Sequence, residues 1–244
     1  MSSDIDYSAK LAKWYSDYNT LMDSETSCKK YTLNARNYEK DSFYLGYPTP
    51  KVLVEMITTE MFQDKLKGNE KIYVLDAGCG TGLVGEYFKQ SPSSNHWVID
   101  GFDGAEGMLD IARKKGVYRR LETCFMVRKK ESISKFNSDE YDLVVASGLF
   151  AFAQAWPSGL SELVRVTKPG GCIIFTFGKN QPEDYQAEMK NEIRRIEDSN
   201  LWQVIKVEEI DYLGRQRDGV SDGIKSSDSN TNLVKCYAYC CVKI

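Results

Sequence analysis

The chain has 244 residues, 42% hydrophobic and 27% charged, with 18 glycines and only 6 prolines. That balance excludes a disordered or collagen-like chain, and a chain of this length buries a sizeable core without disulfides or a structural metal. With 32 Lys and Arg against 35 Asp and Glu the formal charge is −3, which argues against a nucleic-acid-binding surface spread over the molecule.

The amino-terminal stretch has no basic segment followed by an apolar core, so it does not read as a secretory signal. The longest near-apolar run, Leu143 to Trp156, is broken by Ser147, Gly148 and Gln154 and is too short for a membrane span. Cysteines at 28, 79, 124, 172, 236, 240 and 241 are scattered and odd in number, which suits a reducing compartment. These features predict a cytoplasmic or nuclear protein with no membrane anchor.

Residues 1–70 read as helical and aromatic-rich. Thr49-Pro50 opens a helix, since proline suits a first helical position, and Leu53, Met56, Ile57 and Met61 then recur at helical spacing. Lys67 to Glu70 is a polar break. From Lys71 onward strands alternate with helices. Ile72 to Leu75 is a continuous apolar strand of the kind buried on both faces, followed by a helix over Leu83–Gln90. A second strand covers Trp97 to Phe102 and a helix Gly107–Lys115. A weaker strand is predicted at Glu122–Val127 and a clear one at Tyr141–Ala146. Pro157–Thr167 reads as a helix, Lys168–Gly171 as a turn and Cys172–Phe177 as a strand. Asp184–Ser199 is a charged amphipathic helix. Val204–Ile210 and Lys235–Val242 read as a closing strand pair, separated by a Gly-, Ser-, Asp- and Asn-rich excursion over Gly214–Asn232. The pattern predicts an α/β fold: a Rossmann-like, seven-stranded, mostly parallel doubly wound sheet with an antiparallel last strand. The expected organisation is an N-terminal helical cap over residues 1–70 and a core over 71–244, together one unit.

The strongest chemical signal is Val74-Leu75-Asp76-Ala77-Gly78-Cys79-Gly80-Thr81-Gly82, which follows a strand and opens a helix. Its glycines let the backbone turn tightly and approach a ligand closely. The first N–H groups of the following helix can bind an anion, and the carboxylate of an amino-acid moiety fits. Gly80 to Gly85 also matches the dinucleotide fingerprint G-x-G-x-x-G, with Asp103 at the distance of a ribose-binding acid. Asp76, two residues before the first glycine, argues against that reading. A carboxylate there suits a ligand ammonium group and would repel a pyrophosphate.

VLDAGCGTG resembles motif I of the class I S-adenosylmethionine-dependent methyltransferases. GFDGAEGMLDIARKKG is similar to their second-strand motif, YDLVVASGLF to motif IV, and LVRVTKPGGCIIFTF to the helix, turn and strand that follow. The resemblance covers about residues 70–180, with its elements in family order. It implies S-adenosyl-L-methionine as methyl donor, S-adenosyl-L-homocysteine as product, and a small-molecule or protein acceptor. It further implies that Asp76 and the backbone of Ala77, Gly78 and Gly80 hold the methionine part, with Cys79 between them also among the cofactor-binding residues. Asp103 would accept the ribose hydroxyls, with Asp100 a competing acid nearby. Gly104, Ala105 and Met108 would line the adenine side, and Ala146 and Ser147 would end the fourth strand beside the ligand. Tyr18 and Tyr47 match the aromatic positions of the segment that folds over the cofactor. One departure stands out: the acid the family often places after the third strand is missing from Cys124–Lys130.

No catalytic residue is assigned. Because the donor is already activated, the protein contributes mainly position and orientation, and a base is needed only for a protonated nucleophile. A sulfonium cation also favours nearby aromatic faces. His96 precedes the second strand, at the end expected to lie far from the ligand. Motif IV lacks the Asn-Pro-Pro-Tyr type of sequence found in enzymes that methylate nucleic-acid amino groups, so nucleic acid is not expected as a partner. Cys236, Cys240 and Cys241 lack the paired spacing of a zinc site. The basic runs around Arg113–Lys115, Arg119–Arg120 and Arg128–Lys130 read as solvated faces. Phe150, Phe152, Trp156 and Phe177 hint at an apolar or aromatic acceptor. A catalytically silent methyltransferase-like binding module is the alternative to an enzyme.

Overall fold

Two neighbouring apolar residues on one strand point to opposite faces of a sheet, so the runs of the central strands require cover on both sides. The computed structural model, which describes residues 9, 12–13, 24–62, 70–126, 133–152, 154–213 and 234–244, supplies that cover. Its strands are β1 (Ile72–Ala77), β2 (Trp97–Asp103), β3 (Arg120–Thr123), β4 (Tyr141–Phe150), β5 (Thr167–Gly178), β6 (Trp202–Leu213) and β7 (Val234–Lys243). They form one seven-stranded sheet in the order β3-β2-β1-β4-β5-β7-β6. The pairs among β1 to β5 are parallel, and β7 runs antiparallel to both β5 and β6.

Helices α1 (Ser24–Leu45), α2 (Thr49–Met56), α3 (Leu83–Gln90), α4 (Glu106–Lys115), α5 (Leu160–Val166) and α6 (Glu183–Asp198) surround it. On one face Leu75, Val144 and Ile173 pack with Leu163 of α5 and Met189 and Ile196 of α6. On the other, Val74, Leu143, Val145 and Ile174 pack with Leu53 and Val54 of α2 and Phe88 of α3. Alternate residues of the same strands thus serve two cores, which is what a doubly wound sheet demands. The chain reverses at the edge β4–β1, where β2 and β3 lie one way and β5 the other. That reversal opens a crevice beyond the carboxyl ends of the strands.

Several expected elements shift. The helix begun at Thr49-Pro50 becomes a π-helical turn over Ile57–Met61, and the Pro157 helix starts as a 3₁₀ turn before α5. The third strand lies upstream of its expected place, at Arg120–Thr123, because Arg119 binds Asp100 of β2 through two bonds of 2.9 and 2.5 Å and sets the register there. The turn expected at Lys168–Gly171 is absorbed into β5 as an irregularity opposite Tyr141–Leu143, with Gly170 at φ +73°. The break at residues 67–69 and the excursion at 214–232 lie outside the described residues. Among the described residues no helix is long and apolar enough to cross a membrane.

α1 lies against α4. Gly107 allows the approach: a Cβ there would sit 2.6 Å from the Thr32 carbonyl oxygen. Ala35 of α1 packs with Ala105 and Met108.

Candidate functional site

The loop after β1 turns on glycines with positive φ, +68° at Gly78, +53° at Gly80 and +87° at Gly82, a region that costs other residues strain. The Cys79 N–H donates to the Phe102 carbonyl at 2.8 Å, docking the loop on the end of β2. Asp103 secures the loop from the other side. One carboxylate oxygen accepts the Gly80 N–H at 2.9 Å and the other the Ala105 N–H at 2.8 Å. Burial raises the Asp103 pKa from its ordinary value, opposed by these backbone donors. A carboxylate has about four acceptor positions, so Asp103 retains capacity for hydroxyl donors of a ligand.

Asp76 is 1% exposed. Its Oδ2 accepts the Tyr118 hydroxyl at 2.6 Å, while its Oδ1 is buried without a hydrogen-bond partner among the described residues. The Thr81 hydroxyl is likewise buried and unpartnered. Burial pushes the Asp76 carboxyl up to about 7, against the Tyr118 hydrogen bond and with help from Asp103. Asp76 and Thr81 line a small cavity of about 310 Å³ together with Gly78, Gly80, Tyr47 and Ser147.

That cavity adjoins a cleft of about 820 Å³, and both are lined by Tyr38, Tyr47, Gly78, Gly80 and Ser147. Asp103, Gly104, Ala105 and Met108 form one wall of the cleft. Ser27, Cys28, Tyr31 and Tyr38 of α1 form another, and Cys124, Phe125 and Met126 after β3 a third. Gln154 donates to the Tyr31 hydroxyl at 2.7 Å across it. Cys28 is pushed up to about 12 by burial and then by Asp103, so it stands there as a neutral thiol.

Two strand irregularities shape the opposite end. In β4 the register jumps between Ala146 and Phe150, and Ser147, Gly148 and Leu149 bulge out of the ladder. Gly148 has φ +71°, and its N–H donates to the Thr176 hydroxyl at 2.8 Å. In β6 the register shifts between Asp211 and Leu213, leaving Tyr212 as the extra residue of a bulge. Bulges re-aim side chains and gather next to active sites. Here the Tyr212 ring meets that of Tyr47 edge-on at 5.4 Å. Tyr212 and Gly148 line both the cleft and a second cavity of about 1030 Å³, walled by Phe150, Ala151, Phe152, Thr176, Gln181 and Pro182.

Of the expected site residues, Asp76, Gly78, Cys79, Gly80, Asp103, Gly104, Ala105, Met108, Tyr47 and Ser147 line the joined cavities. Met108 lines the cleft and also packs in the core with Ala35 and Ala105. Ala77 and Ala146 turn their side chains into the core and do not line them. Tyr18 lies outside the described residues. Asp100 is not a rival to Asp103: it is fully buried, bound by Arg119 and by the Tyr141 hydroxyl at 2.7 Å. His96 stands at the far end of β2, its ring Nδ1 3.1 Å from the Glu70 carbonyl. Phe150 and Phe152 reach the second cavity, whereas Phe177 and Trp156 pack in the core with Tyr185. Cys236, Cys240 and Cys241 are buried along β7 as free thiols.

Sequence reasoning missed Tyr118, Thr81, Tyr212 and the α1 wall. Cys28, Tyr31, Ala35 and Tyr38 recur at helical spacing, a legible stripe. Tyr118 and Tyr212 carry no local signal.

A methyltransferase domain profile matches residues 74–171, the span that runs from β1 through the glycine loop and β4 to the start of β5. The human methyltransferase-like protein 27 is 28% identical over 181 residues, covering 73% of this chain and 69% of the human one. The chain carries a methyltransferase domain, and these likenesses support a class I S-adenosylmethionine-dependent methyltransferase. A malonyl-[acyl-carrier protein] O-methyltransferase of Serratia marcescens is 33% identical over 103 residues, covering 42% of the methyltransferase described here but only 37% of its own length. The crystal structure of a SAM-dependent methyltransferase from Aquifex aeolicus shares the fold, with a TM-score of 0.53 and 17% identity over 87% of this chain and 98% of that one. The methyl donor of this methyltransferase is S-adenosylmethionine.

Proposed function

We propose that the joined cleft binds S-adenosylmethionine with its amino-acid end at Asp76 and its nucleoside end at α4, and that the second cavity takes a small, largely apolar acceptor. The observation that supports this most is a pair of buried polar atoms with no partner among the described residues, Asp76 Oδ1 and Thr81 Oγ1, on two residues that line the small cavity. Buried polar groups without partners are rare and costly, and a ligand with an ammonium and a carboxylate group answers both. Asp103 would accept the ribose hydroxyls, and Met108, Phe125 and Met126 would sandwich the base. Tyr38, Tyr31 and Cys28 close the cleft from α1, in the manner of a lid.

Bound S-adenosylmethionine supplies an activated methyl group on a cationic sulfonium and leaves as S-adenosylhomocysteine. This chain's part is to orient and to exclude water. Gly148 and Tyr212 line both the cleft and the second cavity, with Tyr47 and Ser147 beside them in the cleft, so the incoming acceptor would pass their hydroxyls and the Gly148 backbone. Among the described residues none that lines the second cavity is charged, which favours a neutral acceptor.

The test is incubation of the full chain with label-bearing donor and a cell extract split into low-mass and macromolecular fractions. Label in apolar low-mass product is expected. Label only in protein or nucleic acid would overturn the acceptor reading. Asp103→Ala should weaken donor binding at least tenfold, and an unchanged Kd would overturn its role.

A further inference from the structure

Tyr118 lies between α4 and β3, in a connector fixed on both sides. Gly116 ends α4 in the left-handed conformation, and the Arg119 N–H donates to the Ile99 carbonyl at 2.7 Å. The ring fills a slot made by glycines of three different segments. A Cβ on Gly82 would come within 2.9 Å of it, on Gly85 within 2.7 Å and on Gly101 within 3.0 Å. The first two distances are shorter than real Cβ contacts and the third is tighter than nearly all of them, so those glycines leave the room the ring occupies. This also accounts for the string Gly80 to Gly85 that imitates a dinucleotide fingerprint: its last glycine admits a tyrosine. At the end of the slot the hydroxyl donates to Asp76 Oδ2 at 2.6 Å.

We propose that Tyr118 is a positioning residue of the donor site: its hydroxyl pins one oxygen of Asp76 so that the other faces the small cavity and receives the donor's ammonium group. The proposal rests on reading the cleft as the donor site. A structural role alone would leave the carboxylate satisfied or absent. Instead one oxygen is bound and the other is bare, in a site lined for a ligand. A hydrogen bond to a carboxylate favours its ionised form, the form an ammonium group needs. The other titratable groups facing this site are Asp103 at the end of β2, Cys79 in the loop, and Tyr38 and Tyr47 from α1 and the turn after it. None of them is a cation, so the hydroxyl is the local group that favours charge on Asp76.

Tyr118→Phe separates the two roles, since it keeps the ring in its slot and removes only the hydroxyl. Calorimetric titration of the full chain with S-adenosylmethionine, from about pH 6 to about pH 9, should show roughly tenfold weaker binding near neutrality. The affinity should recover as pH rises, so the midpoint of the pH profile moves up. A carboxyl carbon-13 titration of the ligand-free Tyr118→Phe protein should show the same upward shift for Asp76, with no donor present. Wild-type affinity and an unmoved profile would make Tyr118 a packing residue and overturn the proposal. If Asp76→Asn binds the donor as well as wild type does, the donor-site reading fails, and the proposal with it.

Discussion

The hydroxyls of Tyr47 and Ser147 lie 3.2 Å apart, a contact across 100 positions of chain. It joins the turn after α1 to the bulge of β4, where the small cavity and the cleft meet. Gly46, at φ +65°, ends α1 in the left-handed conformation and delivers Tyr47 there. Tyr47→Phe should keep the ring against Tyr212 and lose this bond. The expected cost in stability is about 1 kcal/mol or less, with a several-fold weaker donor Kd. Thermal melts and calorimetry on the same variant check both. An unchanged Kd would confine Tyr47 to packing.

Gly148 carries the same joint. Its φ is +71°, and a Cβ would meet the Tyr47 hydroxyl at 2.7 Å. Gly148→Ala is expected to destabilise by about 1–3 kcal/mol and to displace Tyr47 from Ser147. A larger loss in methyl transfer than Tyr47→Phe causes would agree with this, because the second cavity is disturbed as well.

Asp76 links stability to pH. Its folded pKa is raised to about 7 by burial, against about 3.9 unfolded. A raised acid contributes stability that is fully present below its unfolded pKa and is lost as pH rises toward its folded one. The ligand-free protein should therefore lose up to a few kcal/mol between about pH 4 and about pH 7 from this group. Asp76→Asn should flatten that decline. Its melting temperature relative to wild type should rise over this window, while its donor binding falls. Donor affinity in the wild type should move the other way, increasing through about pH 7 as the carboxylate ionises. Parallel pH–stability curves for the two proteins would contradict the assignment.

The slot around Tyr118 makes a further claim about packing. Gly85→Ala should destabilise by about 1–3 kcal/mol, since its Cβ would strike the ring and hydroxyl at 2.7 Å. In a Tyr118→Ala background the same change should cost little. A double-mutant cycle of chemical denaturation curves measures this, and additive effects would contradict it.

Much of the fold was legible because its causes are local. Val74 with Leu75, and Leu143 through Ala146, are too apolar for any strand but one covered on both faces, and the glycine loop follows directly from its strand. Asp76, Asp103 and Ser147 were legible through that loop and its strand ends. Tyr118 was not, because its place is defined by Gly82, Gly85 and Gly101, which meet only after folding. Tyr212 was not, because a bulge in β6 reverses the alternation that would otherwise direct its side chain. The third strand was placed too far downstream because its register depends on Arg119 reaching Asp100, a contact between separate elements. Lys168–Gly171 has the composition of a turn, and the ladder with β4 breaks there and resumes at Cys172, so the stretch sits inside β5 as an unpaired irregularity.

Calorimetric titration of the full chain with S-adenosylmethionine, and separately with NAD, is the most direct test of the donor site. Saturable binding of the methyl donor with about one site per chain, and none of NAD, is the predicted result. Binding of NAD instead, or of neither ligand, would contradict the assignment of Asp76 and Asp103 to the methyl donor.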